Sequence, residues 1–233
     1  MLDYFSKSFI LFKENPAIII LALIITALNI VLEGIFNVLT PNMDVSSPLW
    51  YVGIISFIIL ILVSIFIYTA IIGMIQKLLL NESVTLKTGW EIGVKYFLKM
   101  LILTAIIMVA LLLLLLIIGI IVMALIILLK FNINEELLVM GSLILSLFVL
   151  GFLTIFTEQA IVVGEKGVFA SIKQSMQLAF NNKTIIIILL VALMLSNAIG
   201  FIQSIGSMLS SIIGPVLSIY ITILITLVYI DLT

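Results

Sequence analysis

The sequence predicts an all-α, polytopic membrane protein with six transmembrane helices. The helices form three parallel helix-pair repeats, and each pair is preceded by a cytoplasmic amphipathic helix. Composition is the first observation behind this prediction: of 233 residues, 65% are hydrophobic and 9% are charged, and the mean hydropathy is +1.51. Soluble domains carry about 25% charged residues, so this chain cannot cover its surface in water. We expect one integral membrane domain over residues 1–233.

The second observation is the spacing of the apolar tracts, most of which exceed the roughly 20 residues that cross a bilayer. Polar or turn-forming segments separate them, such as TPNMDVSSP at residues 40–48 and GEKG at residues 164–167. The predicted spans are Pro16–Leu39, Leu49–Leu80, Leu98–Leu129, Leu137–Val163, Thr184–Gly206 and Leu209–Ile230, the last broken at Gly214-Pro215.

The third observation is a short amphipathic segment that occurs three times. In Val168–Asn182, the residues Phe169, Ile172, Met176 and Ala179 are spaced by three and four, so they share one helix face. Ser171 and Ser175 lie mostly on the opposite face. We therefore expect the apolar face to pack against the inner ends of the spans.

A shift of 167 residues superimposes this segment on Met1–Asn15, and it pairs serine with serine and asparagine with asparagine. A shift of 85 residues from the N-terminal copy reaches Thr88–Met100. A fixed spacing of this kind predicts one structural unit used several times, with units at about residues 1–83, 84–166 and 167–233. Two spans in every unit keep the three copies in the same orientation. The aligned pairs outside the isoleucine tracts are Ser8 with Ser175, Leu11 with Leu178, Asn15 with Asn182, Phe5 with Trp90, Phe9 with Val94, and Phe12 with Phe97.

Lysine placement predicts the orientation. In a six-span arrangement nine of the ten lysines fall on one side, and only Lys130 falls on the other. Because cytoplasmic loops carry the excess of basic residues, we expect a multi-pass protein of the cell membrane with both termini in the cytoplasm.

Five polar residues inside the apolar tracts form the candidate intramembrane site: Asn29, Glu33, Glu158, Asn197 and Gln203. A charge at the bilayer centre costs about 2.5–3.5 kcal/mol on insertion scales, so Glu33 and Glu158 need an explanation. Either they reach the headgroups from near the span ends, or they bind a cation or proton. The amides either fix helix packing through hydrogen bonds or line a path for a solute.

The residue inventory argues against several chemistries. The chain has no cysteine, histidine or arginine, so thiolate catalysis, histidine acid–base catalysis and arginine clamps on phosphate are excluded. The remaining acid–base groups are few and scattered. We expect no catalytic, cofactor or metal site, and a net charge of −1 argues against nucleic acid as a partner.

Two segments carry a family resemblance. Ser8–Pro16 has the pattern Ser-x-x-x-Phe-x-x-Asn-Pro before an isoleucine-rich span, and Gly167–Ser175 has the pattern Gly-Val-Phe-x-Ser-x-x-x-Ser after Glu158 and a short turn. Both resemble the polytopic membrane domain attached to some glycerophosphoryl diester phosphodiesterases and its stand-alone relatives. The resemblance implies a six-helix membrane module without catalysis, because the phosphodiesterase activity of such proteins resides in a separate soluble barrel.

The sequence leaves two functions open. The first is a non-enzymatic membrane module that organises lipid, or other membrane or cytoplasmic proteins, through its amphipathic helices. The second is a small-solute or ion transporter or channel with a polar path near Asn29, Glu33, Asn197 and Gln203.

Overall fold

The computed structural model describes residues 2–39, 48–129, 135–201 and 207–233. These residues are helical throughout apart from short turns, and no strand occurs among them. The helices in chain order are α1 (Leu2–Glu14), α2 (Pro16–Leu39), α3 (Pro48–Leu79), α4 (Leu86–Leu129), α5 (Glu135–Thr154), α6 (Thr157–Val162), α7 (Val168–Asn181), α8 (Lys183–Phe201) and α9 (Ser207–Leu232).

Several helices are long and apolar enough to cross a membrane. Among the described residues, Tyr51–Leu79, Leu86–Ala124 and Met140–Val162 each meet this requirement alone. Two more candidates are bent pairs: Asp3–Glu14 with Pro16–Leu28, and Val168–Asn181 with Lys183–Leu195. The described part of the chain thus holds three to five candidate spans, and the protein is a membrane protein with an all-helical fold.

The first and last amphipathic segments are separate helices, as predicted. The angle between α1 and α2 is 86°, and that between α7 and α8 is 108°. If α2 and α8 cross the membrane, bends near a right angle direct α1 and α7 along its surface.

The middle segment behaves differently, and the prediction of a separate surface helix over Thr88–Met100 is wrong. These residues form the first part of α4, a single helix of 44 residues. Met100 aligns with Asn15 of the N-terminal copy, and Leu101 aligns with Pro16. Neither residue interrupts a helix, so the backbone hydrogen bonds continue through this position.

Two predicted spans also differ in detail. Helix α9 continues through Gly214-Pro215 instead of breaking there, since a transmembrane helix tolerates the one hydrogen bond that proline removes. The span over Leu137–Val163 is interrupted instead: α5 ends at Thr154 and α6 begins at Thr157.

Helix α9 lies at the centre of the described packing. It contacts α1, α2, α3 and α8, and its residues Ile219, Ile223 and Leu224 are fully buried. The apolar side chains around it form one cluster with α2 and α3 and another with α6 and α8. The described part of the core therefore includes the C-terminal end of α9.

Helices α3 and α4 pack closely because glycine occupies their contact. A Cβ atom added at Gly73 would lie 2.4 Å from Cγ2 of Ile92, and one at Gly93 would lie 2.6 Å from Cζ of Phe66. Small residues at such contacts allow two helix backbones to approach. This packing holds the first turns of α4 alongside α3, which is a second reason why α4 stays straight.

Candidate functional site

The two bends are built from the same residues. At the first, the side-chain amide of Asn15 donates a hydrogen bond to the carbonyl of Leu11, at 2.7 Å. At the second, the amide of Asn182 donates to the carbonyl of Leu178, at 3.1 Å. Each asparagine thus adds a side-chain hydrogen bond in the last turn of its helix, where backbone donors are few. At the second bend this bond is additional, because the carbonyl of Leu178 also accepts the backbone N–H of Asn182.

The fully buried residues of the bent helices are small. Ser171, Ser175 and Ala179 are fully buried on α7, and Ser8 is fully buried on α1. The expectation that Phe169 packs inwards is therefore wrong, but Ala179 of the same predicted face is fully buried and Ile172 packs against a buried apolar cluster. Small side chains let each bent helix approach the bundle closely.

Large apolar side chains consequently face outwards on both bent helices. The exposed fraction is 78% for Phe169, 53% for Phe180 and 58% for Phe9. Helices with exposed aromatic residues beside lysines are typical of the membrane interface, where the apolar face enters the region between headgroups and acyl chains.

Polar contacts gather at one end of the bundle. The hydroxyl of Tyr229, near the end of α9, donates a hydrogen bond to Oε1 of Gln174 on α7. The hydroxyl of Tyr4 on α1 donates to Asp231 of α9. The amide of Gln76, near the end of α3, donates to the carbonyl of Val163. Two of these contacts join α1 and α7 to the end of α9, and the third joins the end of α3 to the end of α6.

Glu165 connects the start of α4 to the turn before α7. Its Oε1 atom accepts hydrogen bonds from Nζ of Lys95 and from the hydroxyl of Tyr96, both at 2.7 Å. The bond from Lys95 and that from Tyr96 hold the pKa of Glu165 below its usual value of 4.5. The backbone φ of Glu165 is 52°, a left-handed conformation that costs a residue with a side chain about 1–2 kcal/mol. The two hydrogen bonds offset part of that cost.

A groove of about 890 Å³ runs along the outer face of α7 and reaches the end of α9 at Leu232 and Thr233. Its lining combines apolar residues such as Phe169 and Met176 with the lysines Lys166 and Lys173. A groove with apolar and cationic walls suits an amphiphile, and neither an entirely apolar nor an entirely polar ligand would satisfy both.

Glu158 is the one predicted site residue whose side chain the structure describes. It lies in the first turn of α6, directly after the break in the span, and is partly exposed. No lysine forms an ion pair with it in the described part of the chain. Beside it, Oγ1 of Thr157 and Oε1 of Gln159 are buried and have no hydrogen-bond partner among the described residues.

The other predicted site residues cannot be assembled into a site. Asn29 and Glu33 lie on α2 and Asn197 lies on α8, but their side chains are outside the described residues, and Gln203 is outside them altogether. The polar path over these four residues stays a prediction.

Sequence reasoning missed the groove and the Glu165 cluster. Lys95 and Glu165 are 70 residues apart, and no local pattern relates them. A signal for the groove was present, however, because Lys166–Lys183 contains three lysines and no acidic residue.

Comparison with known families gives a match over nearly the whole chain. The DUF7847 family, described as a domain of unknown function, matches residues 2–231. The chain belongs to this family. No curated protein and no solved structure matches it. The DUF7847 match carries no link to the phosphodiesterase membrane domains, so that resemblance stays a prediction.

Proposed function

We propose that this DUF7847 protein is a non-enzymatic membrane module that organises lipid or protein partners at the cytoplasmic surface of the cell membrane. The observation that carries the proposal is the construction of α1 and α7. Both helices turn sharply from an apolar helix, bury serine and expose phenylalanine. Such helices present an apolar surface to something outside the chain.

The proposed architecture has six spans and both termini in the cytoplasm. The spans are α2, α3, α4, α5 with α6, α8 and α9. In support, the polar contacts of α1, α7 and the end of α9 lie at one end of the bundle, and the lysines of these segments share that end. The repeat is retained for the first and third units through the paired bends, while the middle unit departs from it in its straight α4.

Photo-crosslinking tests the proposed role. A photoreactive amino acid at Phe9 or Phe169 should crosslink to lipid or to another protein in intact membranes, whereas one at Ile71, which is fully buried, should not. If the two surface positions give no more crosslinks than Ile71, the faces are covered by the chain itself and the proposal fails.

Cysteine labelling tests the orientation. The chain has no native cysteine, so each introduced thiol reports one position. An impermeant reagent added outside should label Asp44→Cys and Glu135→Cys but not Lys87→Cys or Lys173→Cys. The reverse pattern overturns the orientation.

The alternative is a transporter or channel for a small solute or ion. One observation favours it: a broken span with an unpaired carboxylate at Glu158 and two buried oxygens without described partners. Discontinuous helices form ion and substrate sites in many transporters. The purified chain in proteoliposomes should then pass protons or monovalent cations, and Glu158→Gln should abolish the flux. Flux no higher than in empty vesicles favours the module.

A further inference from the structure

We propose that the groove along α7 binds the headgroup of an anionic phospholipid through Lys166 and Lys173, while Phe169 and Phe180 contact the upper acyl chains. This inference rests on the proposed membrane module, and it names the lipid class that the surface selects. Four independent features of the described residues support it.

The first feature is local charge. Residues 166–183 carry three lysines, at positions 166, 173 and 183, and no aspartate or glutamate. None of the three forms an ion pair with a carboxylate of the described residues, whereas Lys7, Lys77, Lys87 and Lys95 all do. The positive charge along α7 is therefore uncompensated within the described structure and attracts an anion.

The second feature is the shape of the groove. Lys166 and Lys173 line the same groove of about 890 Å³ as Phe169, so a ligand there meets charge and apolar surface together. The side chain of Gln174, also in the lining, is held by the Tyr229 hydroxyl at 3.1 Å. This hydrogen bond joins one wall of the groove to α9.

The third feature is the apolar surface next to the lysines. Phe169 and Phe180 are 78% and 53% exposed, and both line the groove. Phenylalanine is typical of the apolar face of an interfacial helix, which enters the boundary between headgroups and acyl chains. A soluble phosphate compound would leave these rings in water, whereas a phospholipid covers them.

The fourth feature is the contrast with α1, which has the same bend but not the same charge. Helix α1 contains Asp3 and Glu14 beside Lys7 and Lys13, so its charges cancel. Lys7 also pairs with Asp3 at 3.5 Å. A lipid preference arising from the fold alone would appear at both helices, whereas one arising from charge should appear only at α7.

Native mass spectrometry of the detergent-purified full chain tests the inference. The probes are phosphatidylglycerol and phosphatidylcholine with identical acyl chains. A lysine near an anionic surface contributes about fivefold in affinity, so Lys166→Gln/Lys173→Gln should weaken phosphatidylglycerol binding by about 25-fold. The binding of phosphatidylcholine should not change.

The matched control is Lys7→Gln/Lys87→Gln, which removes the same charge from lysines that are already paired. It should change phosphatidylglycerol binding by less than about twofold. Equal losses in the two double variants would show a general charge effect and overturn the site, as would equal affinity of the unchanged protein for the two lipids. Displacement of the lipid by glycerol 3-phosphate at equal concentration would overturn the lipid assignment in favour of a soluble anion.

These outcomes distinguish a failure of the lipid-site proposal from a failure of the proposed function. Lipid selectivity in detergent requires no particular orientation and no flux assay. If the chain crosslinks and labels as proposed but lacks the lipid preference, only the lipid-site proposal fails. If the chain conducts ions yet selects phosphatidylglycerol, only the proposed function fails.

Discussion

Helices α1 and α7 turn sharply at their C-terminal ends, whereas α4 continues straight through the equivalent point. All three begin with an amphipathic sequence, since Trp90, Val94 and Phe97 of α4 align with Phe5, Phe9 and Phe12 of α1. The difference lies at the C-terminal end of each amphipathic segment. Asn15 and Asn182 end their helices with a side-chain hydrogen bond, but Met100 does not. An amphipathic sequence alone thus does not produce a bend, and the asparagine at the end of the segment is one difference between the bent and the straight helices.

Packing on α3 contributes to the same difference, and this gives the largest predicted effect. Gly73→Leu places a side chain where Cβ alone already comes within 2.4 Å of Ile92. It should push the first turns of α4 away from α3 and lower the free energy of unfolding by about 3 kcal/mol. Unfolding in mixed detergent and dodecyl sulfate micelles measures this.

Gly119→Leu is the control, because nothing lies within 4 Å of a Cβ atom there. It should be neutral or slightly stabilising, since leucine favours a helix more than glycine does. Equal destabilisation by the two changes would mean that α4 is straight for reasons other than its contact with α3.

A smaller effect distinguishes the two bent helices. Ser8 and Ser175 are aligned, and both are fully buried, but their hydroxyls have different partners. Ser175 accepts a hydrogen bond from the backbone N–H of Phe156 at 3.1 Å, at the break between α5 and α6. Ser8 donates to the carbonyl of Tyr4 in its own helix. Ser175→Ala should lower the free energy of unfolding by about 2 kcal/mol, because it leaves the buried N–H of Phe156 without a partner.

Ser8→Ala should lower the free energy of unfolding by much less, about 0.5 kcal/mol. The carbonyl of Tyr4 lies inside α1 and loses only the extra hydrogen bond from the Ser8 hydroxyl. Thermal unfolding in detergent compares the two variants. Equal losses would show that the serines matter only for their small size.

The bends themselves offer a third comparison. Asn182→Ala removes the side-chain hydrogen bond to Leu178 and should lower the free energy of unfolding by about 1 kcal/mol. It should also widen the distribution of distances between spin labels on α7 and α8. The neighbouring Asn181→Ala is the control, since Asn181 is exposed. Indistinguishable distributions would place the cause of the bend in tertiary packing and not in the cap.

The smallest expected effect is a pH dependence. The pKa of Glu165 is lowered from 4.5 by Lys95 and Tyr96, so its stabilising contribution is complete above pH 4.5 and is lost as the pH falls through the lower, folded-state value. Stability should fall more steeply below pH 4.5 in the unchanged protein than in Glu165→Gln. Thermal melts at about pH 7, 5 and 3.5 test this, and parallel curves would exclude a role for the carboxylate.

Much of the fold can be predicted from sequence alone, because its determinants are local. Apolar tracts located the long helices, and the asparagines at positions 15 and 182 marked both bends. The position of Phe169 was assigned wrongly because periodicity identifies an apolar side without saying what covers it: in a bilayer, lipid can cover Phe169 while the small Ser175 faces protein. The straight α4 depends on glycines that contact residues of another helix, and the groove depends on α9.

The contact between α1 and α9 has a consequence for biosynthesis. The hydroxyl of Tyr220 donates to the carbonyl of Phe5 at 2.8 Å, across 215 residues of chain. A ribosome adding about 5–20 residues per second needs about 10–45 s to cover that distance. Throughout this interval α1 has been made but its docking partner has not, so its phenylalanines must be shielded by the bilayer surface or by a chaperone. Helix α1 is therefore among the last of the described helices to reach its final position.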